Sequence, residues 1–198
     1  AKLHLISKKD GGFVKCVKLA KEYARKKDVL LINQFSNKLN IDTHYNTTAK
    51  EILNKLNNIG GFVSGVGSGG TLMGVTNRLK EVFPNLKVAL VEPKNSEIIN
   101  KNKVNSHKIE GIADDFIPDN FKKENITHYY SISDEDAITM SKMLAKELGL
   151  GVGISSGANF LGSVLLNEDV NNVVTIFSDD NKKYLSILKD DVFIKQDY

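Results

Sequence analysis

Apolar residues recur at two different spacings along this chain, and the switching between them predicts alternating helices and strands. Leu72, Val75, Leu79 and Val82 fall on one face of a helix over residues 71–83, which Pro84 stops. The stripe Phe13, Cys16, Val17, Ala20 and Ala24 predicts a helix over 13–27 with that stripe in the core, so Cys16 reads as a packing residue. A third helix is expected over 43–56, with Thr43 as its cap and Ile52 and Leu56 one turn apart. Ser133, with Asp136 three residues on, opens a fourth helix whose inward face is Ala137, Met140, Met143, Leu144 and Leu148 and which Gly149 ends. A fifth lies near 158–166.

The strand signals are shorter. Apolar runs at 29–32, 62–65, 88–91, 128–132 and 173–177 have strand length, and residues 2–6 alternate, with Leu3 and Leu5 on one face and His4 on the other. Residues 92–127 are loop-rich, and a polar tail ends the chain. Helix and strand patterns joined by short turns predict an α/β fold with a largely parallel sheet flanked by helices. In such a sheet ligands lie beyond the carboxyl ends of the strands. That directs attention to residues 33–37, the glycine run 65–71, residues 107–118 and residues 178–181.

The glycine run, Gly65-Val66-Gly67-Ser68-Gly69-Gly70-Thr71, joins a strand to a helix. Glycines let the backbone turn sharply and approach a ligand, while the first N–H groups of the helix and its dipole favour an anion. Ser68 and Thr71 add hydroxyl donors. Gly65, Gly67 and Gly70 also satisfy G-x-G-x-x-G, and Glu92 lies at the end of the next strand, which together describe a dinucleotide site. The two hydroxyls suit a single phosphate monoester instead, and no Lys follows the last glycine as a nucleoside triphosphate loop requires.

Composition removes several classes. At 198 residues with 41% hydrophobic and 26% charged positions, the chain can bury a sizeable core. No apolar run is long enough to cross a membrane. A net charge of +3, without a basic stripe interleaved with aromatics, gives no case for nucleic acid. The single cysteine and the absence of a secretory pattern make a reducing cytoplasm the expected compartment. His4, His44, His107 and His128 lack metal-ligand spacing, so no metal is expected.

Beyond the glycine run, the segments Gln34-Phe35, His107-Lys108-Ile109-Glu110-Gly111-Ile112, Phe116-Ile117-Pro118, Gly153-Ile154-Ser155-Ser156-Gly157-Ala158 and Lys183-Tyr184-Leu185-Ser186 follow in order. In order and spacing this set resembles the cysteine synthases, fold-type II pyridoxal-phosphate enzymes related to cystathionine β-synthase, over their C-terminal two-thirds. The resemblance implies that residues 1–35 end a small domain and cross into a cofactor-binding large domain, 36–198. It implies that Gly67, Ser68, Gly69, Gly70 and Thr71 hold the phosphate of pyridoxal 5'-phosphate. Gln34 and Phe35 would face a small amino-acid substrate, with Gly111 in a mobile loop beside it and residues 153–157 supporting the cofactor. The implied reaction forms cysteine from O-acetylserine and sulfide, through loss of the α-proton and the β-substituent. A homodimer is implied as well.

Parts of the pattern are missing or altered. The Schiff-base lysine and the loop that holds the substrate carboxylate fall, in that family, upstream of these residues; Lys8 and Lys9 do not replace them. A separate N-terminal segment of the same enzyme is therefore the expected partner, and this chain by itself is expected to be inactive. Where the family loop is small and glycine-rich, this chain has Ala113-Asp114-Asp115, so Asp115, or in second place Asp114, becomes a candidate general base. Water activated there would convert cysteine to serine with release of hydrogen sulfide, the alternative activity. Asp180 stands where the family has a serine bonded to the pyridine nitrogen, with Asp179 as the alternative in the other register. A non-catalytic module binding a phosphate or a dinucleotide is the remaining reading.

Overall fold

Strands covered on both faces show unbroken burial, and two strands at the centre of this chain do so. The computed structural model describes residues 2–188. Its sheet contains β1 (Gly61–Gly65), β2 (Lys87–Pro93), β3 (His128–Ile132) and β4 (Val173–Thr175) in the order β3-β2-β1-β4, every neighbouring pair parallel. Side chains alternate between its faces. Phe62, Val88 and Leu90 enter one core with Leu72, Val75 and Leu79, while Val63, Ala89 and Val91 enter a second with Ile154, Ala158 and Leu166. Phe62 is fully buried. Burial of a side chain of this kind contributes about 1.5–3 kcal/mol.

The helices are α1 (Gly12–Tyr23), α2 (Lys38–Asn46), α3 (Thr48–Leu53), α4 (Gly70–Val82), α5 (Ile98–Lys101), α6 (Asp134–Leu148), α7 (Ile154–Leu166) and α8 (Leu185–Leu188). α4 supplies the first core and α7 the second, so the sheet is sandwiched as parallel sheets require. From β1 the chain steps outward to β2 and β3, then returns to place β4 on the other side of β1. The direction of winding reverses there, and the carboxyl ends of β1 and β4 splay around a crevice.

Several expectations change. Residues 2–6 and 29–32 form no strand: Leu5 is 90% exposed and Leu30 88%. A strand needs a neighbour to take its N–H and C=O groups, and no described strand lies beside either segment. The stripe on α1 is not core, since none of its residues is fully buried and Cys16 is half-buried. The helix expected over 43–56 is two helices broken at Thr47, whose backbone leaves the helical region at φ −116, ψ −80. Thr43 is not a cap. Its hydroxyl donates back to the Leu39 carbonyl at 2.7 Å, and Asn37 caps α2 by accepting the Leu39 N–H at 3.0 Å.

On α6 the buried stripe is Ala137, Ser141 and Leu144, leaving Met143 and Leu148 exposed. Ser141 can face inward because its hydroxyl donates to the Val152 carbonyl at 2.7 Å. The Ser133 cap forms as expected, accepting the Asp136 N–H at 3.0 Å. The polar tail beyond residue 188 lies outside the described residues.

Candidate functional site

The glycine run closes the end of β1 and opens α4. Gly69 turns the chain in the left-handed region at φ 83, and α4 begins at the next residue. A side chain at Gly67 would collide with the Gly111 carbonyl, so only glycine lets the two loops meet. Ala113, although not a glycine, also sits at positive φ, 52°. Its N–H donates to the Val66 carbonyl at 2.8 Å, and the His107 ring donates through Nε2 to its carbonyl at 3.3 Å. Backbone and side-chain bonds thus hold the loop 111–113 against the glycine run.

Between them lies a cavity of about 140 Å³ lined by Gly65, Gly67–Leu72, Gly111, Ile112, Asn159, Ser64 and Ser178. It sits at the carboxyl ends of β1 and β4. None of its lining residues is charged, so its attraction for an anion rests on hydroxyls, backbone N–H groups and the dipole of the 13-residue α4. Its small size and single helix terminus suit one phosphate group.

Three asparagines, none of them signalled by the pattern of apolar positions, build this cavity. Asn159 on α7, 2% exposed, accepts the Gly65 N–H at 2.8 Å and donates to the Ile176 carbonyl at 2.9 Å, joining the ends of β1 and β4. Asn120 donates to the carbonyls of Gln34 at 2.7 Å and Ser68 at 3.2 Å. Asn40 donates to the same Gln34 carbonyl at 2.9 Å and to Ser68 Oγ at 2.8 Å. Gln34 and Phe35 are therefore fixed beside the glycine run, although no strand precedes them. Phe35 packs with Phe116 and Phe13, ring centroids 4.9 Å and 5.6 Å away, which ties α1 to the loop 111–118.

Ser156 belongs to the segment 153–157 that the resemblance assigned to the cofactor's surroundings. It is fully buried, its hydroxyl has no partner, and it lies one turn before Asn159 on the same side of α7. His44, expected only near a helix entry, reaches Thr71 Oγ1 with Nε2 at 3.1 Å and Thr48 Oγ1 with Nδ1 at 3.0 Å. Burial lowers its pKa below the usual imidazole value.

The acidic candidates separate. Asp115 is exposed and faces a cleft of about 490 Å³ together with Phe13, Cys16 and His107. Asp114 is half-buried; burial and then the charge of Asp115 raise its pKa, against an opposing contribution from His107. Asp180 does not line the phosphate-sized cavity. Its carboxylate accepts the Lys182 N–H at 3.0 Å and pairs with Lys182 Nζ at 3.0 Å, and the side-chain hydrogen bond to Lys182 holds its pKa low. Asp179 is likewise engaged, by the Tyr184 hydroxyl and Lys183 Nζ, both at 2.9 Å.

Glu92, the acidic residue of the dinucleotide pattern, is turned to a helix. It is buried, burial raises its pKa, and its two carboxylate oxygens accept the N–H groups of Ile99 at 2.7 Å and Asn100 at 3.0 Å. Both oxygens cap α5, so the Glu92 carboxylate is turned to that helix and does not line the glycine-run cavity. Among the described residues no cluster of three or more His, Cys, Asp or Glu is arranged to hold a metal, and no helix is long and apolar enough to cross a membrane.

The cavity lies where the open parallel sheet reverses direction, the usual ligand position of such sheets, and the comparison with known families gives the chain's class. Residues 1–179 match the family described as pyridoxal-phosphate dependent enzyme, and the chain belongs to it. Its relatives include cysteine synthase B of Campylobacter jejuni, 42% identical over 159 residues, covering 79% of this chain and 53% of the relative. A solved structure of a hydrogen sulfide-producing enzyme from Fusobacterium nucleatum superposes with a TM-score of 0.89 at 48% identity, covering 94% of this chain and 58% of that one. A hydrogen sulfide-producing enzyme carrying an aspartate-to-asparagine change, solved with an α-aminoacrylate intermediate, gives 0.92 at 46%, covering 100% and 62%. The chain thus spans 53–62% of the length of these relatives.

Proposed function

We propose that this chain forms the phosphate-holding large domain of an enzyme that replaces or eliminates the β-substituent of a small amino acid, with cysteine as product or substrate. The observation that carries the reading is the uncharged, hydroxyl-lined cavity between Gly67–Thr71 and Gly111, next to the Gln34-Phe35 segment. Ser68, Thr71 and the N–H groups of residues 67–71 would hold the phosphate of pyridoxal phosphate. Asp180, the residue expected beside the ring nitrogen, is held in this structure by Lys182. When bound, the cofactor supplies an electron sink for charge at the substrate α-carbon.

The chain's own residues would position and exclude. Phe35 and Phe116 pack edge to face and fix the Gln34-Phe35 segment against the loop 111–118, and Ala113 holds the loop that carries the acidic pair. No lysine lines the cavity among the described residues, so the covalent anchor belongs, in this reading, to the remainder of the longer protein, and the homodimer and cytoplasmic location expected for it go with that whole. Synthesis of cysteine from an O-acylated serine and sulfide is the primary reading.

One observation favours a second. Asp115 faces the open cleft, placed to take a proton from a water molecule entering it, which would turn cysteine into serine and hydrogen sulfide. The two readings separate in one assay. Full-length enzyme is given O-acetylserine with sulfide, and separately cysteine alone, and cysteine, serine and sulfide are quantified. Cysteine formation supports the first and serine with sulfide the second; neither product from an enzyme that has bound pyridoxal phosphate overturns both.

A further inference from the structure

The hydroxyls of Ser68 and Thr71 can serve an anion only if their protons are free to point at it, because each hydroxyl has a single proton to give. Both hydroxyls are contacted from behind by one helix. Asn40 and His44 lie four residues apart on α2, hence on the same face, and meet Ser68 Oγ at 2.8 Å and Thr71 Oγ1 at 3.1 Å.

The Asn40 contact has one possible polarity. The Gln34 carbonyl can only accept, so the Asn40 atom that contacts both it and Ser68 is the amide nitrogen. That nitrogen donates to Ser68 Oγ, filling a lone pair and leaving the Ser68 proton for the cavity. The His44 contact has two. With the ring proton on Nδ1, Nε2 accepts the Thr71 proton and removes it from the cavity. With the proton on Nε2, the ring donates to Thr71, Thr48 donates to Nδ1, and the Thr71 proton is released toward the cavity. Burial disfavours the charged ring, so the choice lies between these two neutral tautomers.

We propose that α2 is the device that aims the hydroxyl protons of the phosphate cradle, Asn40 acting on Ser68 and His44, protonated on Nε2, acting on Thr71. His44 is then a positioning residue for the phosphate group, working through Thr71. The inference rests on the reading of Gly67–Thr71 as a phosphate site.

The test compares pyridoxal 5'-phosphate with pyridoxal, which lacks the phosphate, as ligands of the full-length enzyme freed of cofactor. His44→Gln keeps a donor near the place of Nε2, whereas His44→Asn keeps one only near Nδ1. The expected result is a loss in pyridoxal-phosphate affinity of about five- to tenfold for His44→Asn, recovery to near wild type for His44→Gln, and no change in pyridoxal affinity for either. Equal weakening of both ligands by His44→Asn would make the residue merely structural and overturn the proposal. If the wild type binds pyridoxal as tightly as its phosphate, the cradle reading itself fails, and the proposal with it. Histidine nitrogen shifts in the loaded enzyme give an independent readout: an Nε2-protonated His44 supports the assignment and an Nδ1-protonated one refutes it.

Discussion

Asn159 Oδ1 lies 2.8 Å from the backbone nitrogen of Gly65, and through this bond one side chain of α7 holds the strand end from which the glycine run starts. The same amide donates to Ile176 across the reversal point of the sheet. Replacing Asn159 with Ala strands a half-buried N–H and a half-buried carbonyl. The expected cost is roughly 2–4 kcal/mol, read as a lower urea midpoint with an unchanged slope. Asn159→Asp, which can still accept from Gly65 but cannot donate to Ile176, is expected to fall between.

Gly67 is limited by contact with the loop opposite it. A methyl group there meets the Gly111 carbonyl and must push the two loops apart. Gly67→Ala is expected to weaken pyridoxal-phosphate binding about tenfold or more, in line with the 1–3 kcal/mol typical of overpacking. Fluorescence titration of the cofactor-free enzyme measures it, and unchanged affinity would show that the loops are not in register around the ligand.

Asp115 is the cleft-facing carboxylate. On the second reading, in which the full-length enzyme releases sulfide from cysteine, Asp115→Asn is expected to abolish that release while leaving the visible absorbance of the bound cofactor in place. Undiminished sulfide release would remove Asp115 from the chemistry.

Asp114 has a different test, in stability. Its folded-state pKa is raised by burial and by Asp115, so the folded protein disfavours the ionised form. Below the unfolded carboxyl range both states are protonated and no penalty exists. As pH rises through that range the unfolded chain loses its proton first and stability falls, the full penalty being present above the folded pKa. Asp114→Asn is therefore expected to raise Tm at neutral pH and to lose this advantage as pH drops toward the ordinary aspartate value of 3.8.

What could be read from the chain was local. The strand at Gly61–Gly65, the helix after it and the glycines between them are contiguous, and each residue type there is dictated by its own backbone position. The misread segments failed because their fate depends on distant partners. Leu30 and Leu31 have the composition of a strand, but a strand exists only where a neighbour pairs with it. The site asparagines were invisible for the same reason: Asn159 bonds across 94 residues to Gly65 and Asn40 across 28 to Ser68. Glu92 fitted a dinucleotide pattern by spacing, and only the packing of α5 against it assigned its carboxylate elsewhere. A signal for His44 was available in its four-residue spacing from Asn40, just after Gln34-Phe35.

The crevice beyond β1 and β4 is proposed to hold the phosphate of pyridoxal phosphate and not a dinucleotide. Calorimetric titration of the cofactor-free, full-length enzyme measures this directly. Pyridoxal 5'-phosphate is expected to bind one per chain, inorganic phosphate to compete with it, and NAD to give no heat. Binding of NAD, or pyridoxal-phosphate binding that inorganic phosphate does not weaken, would contradict the account.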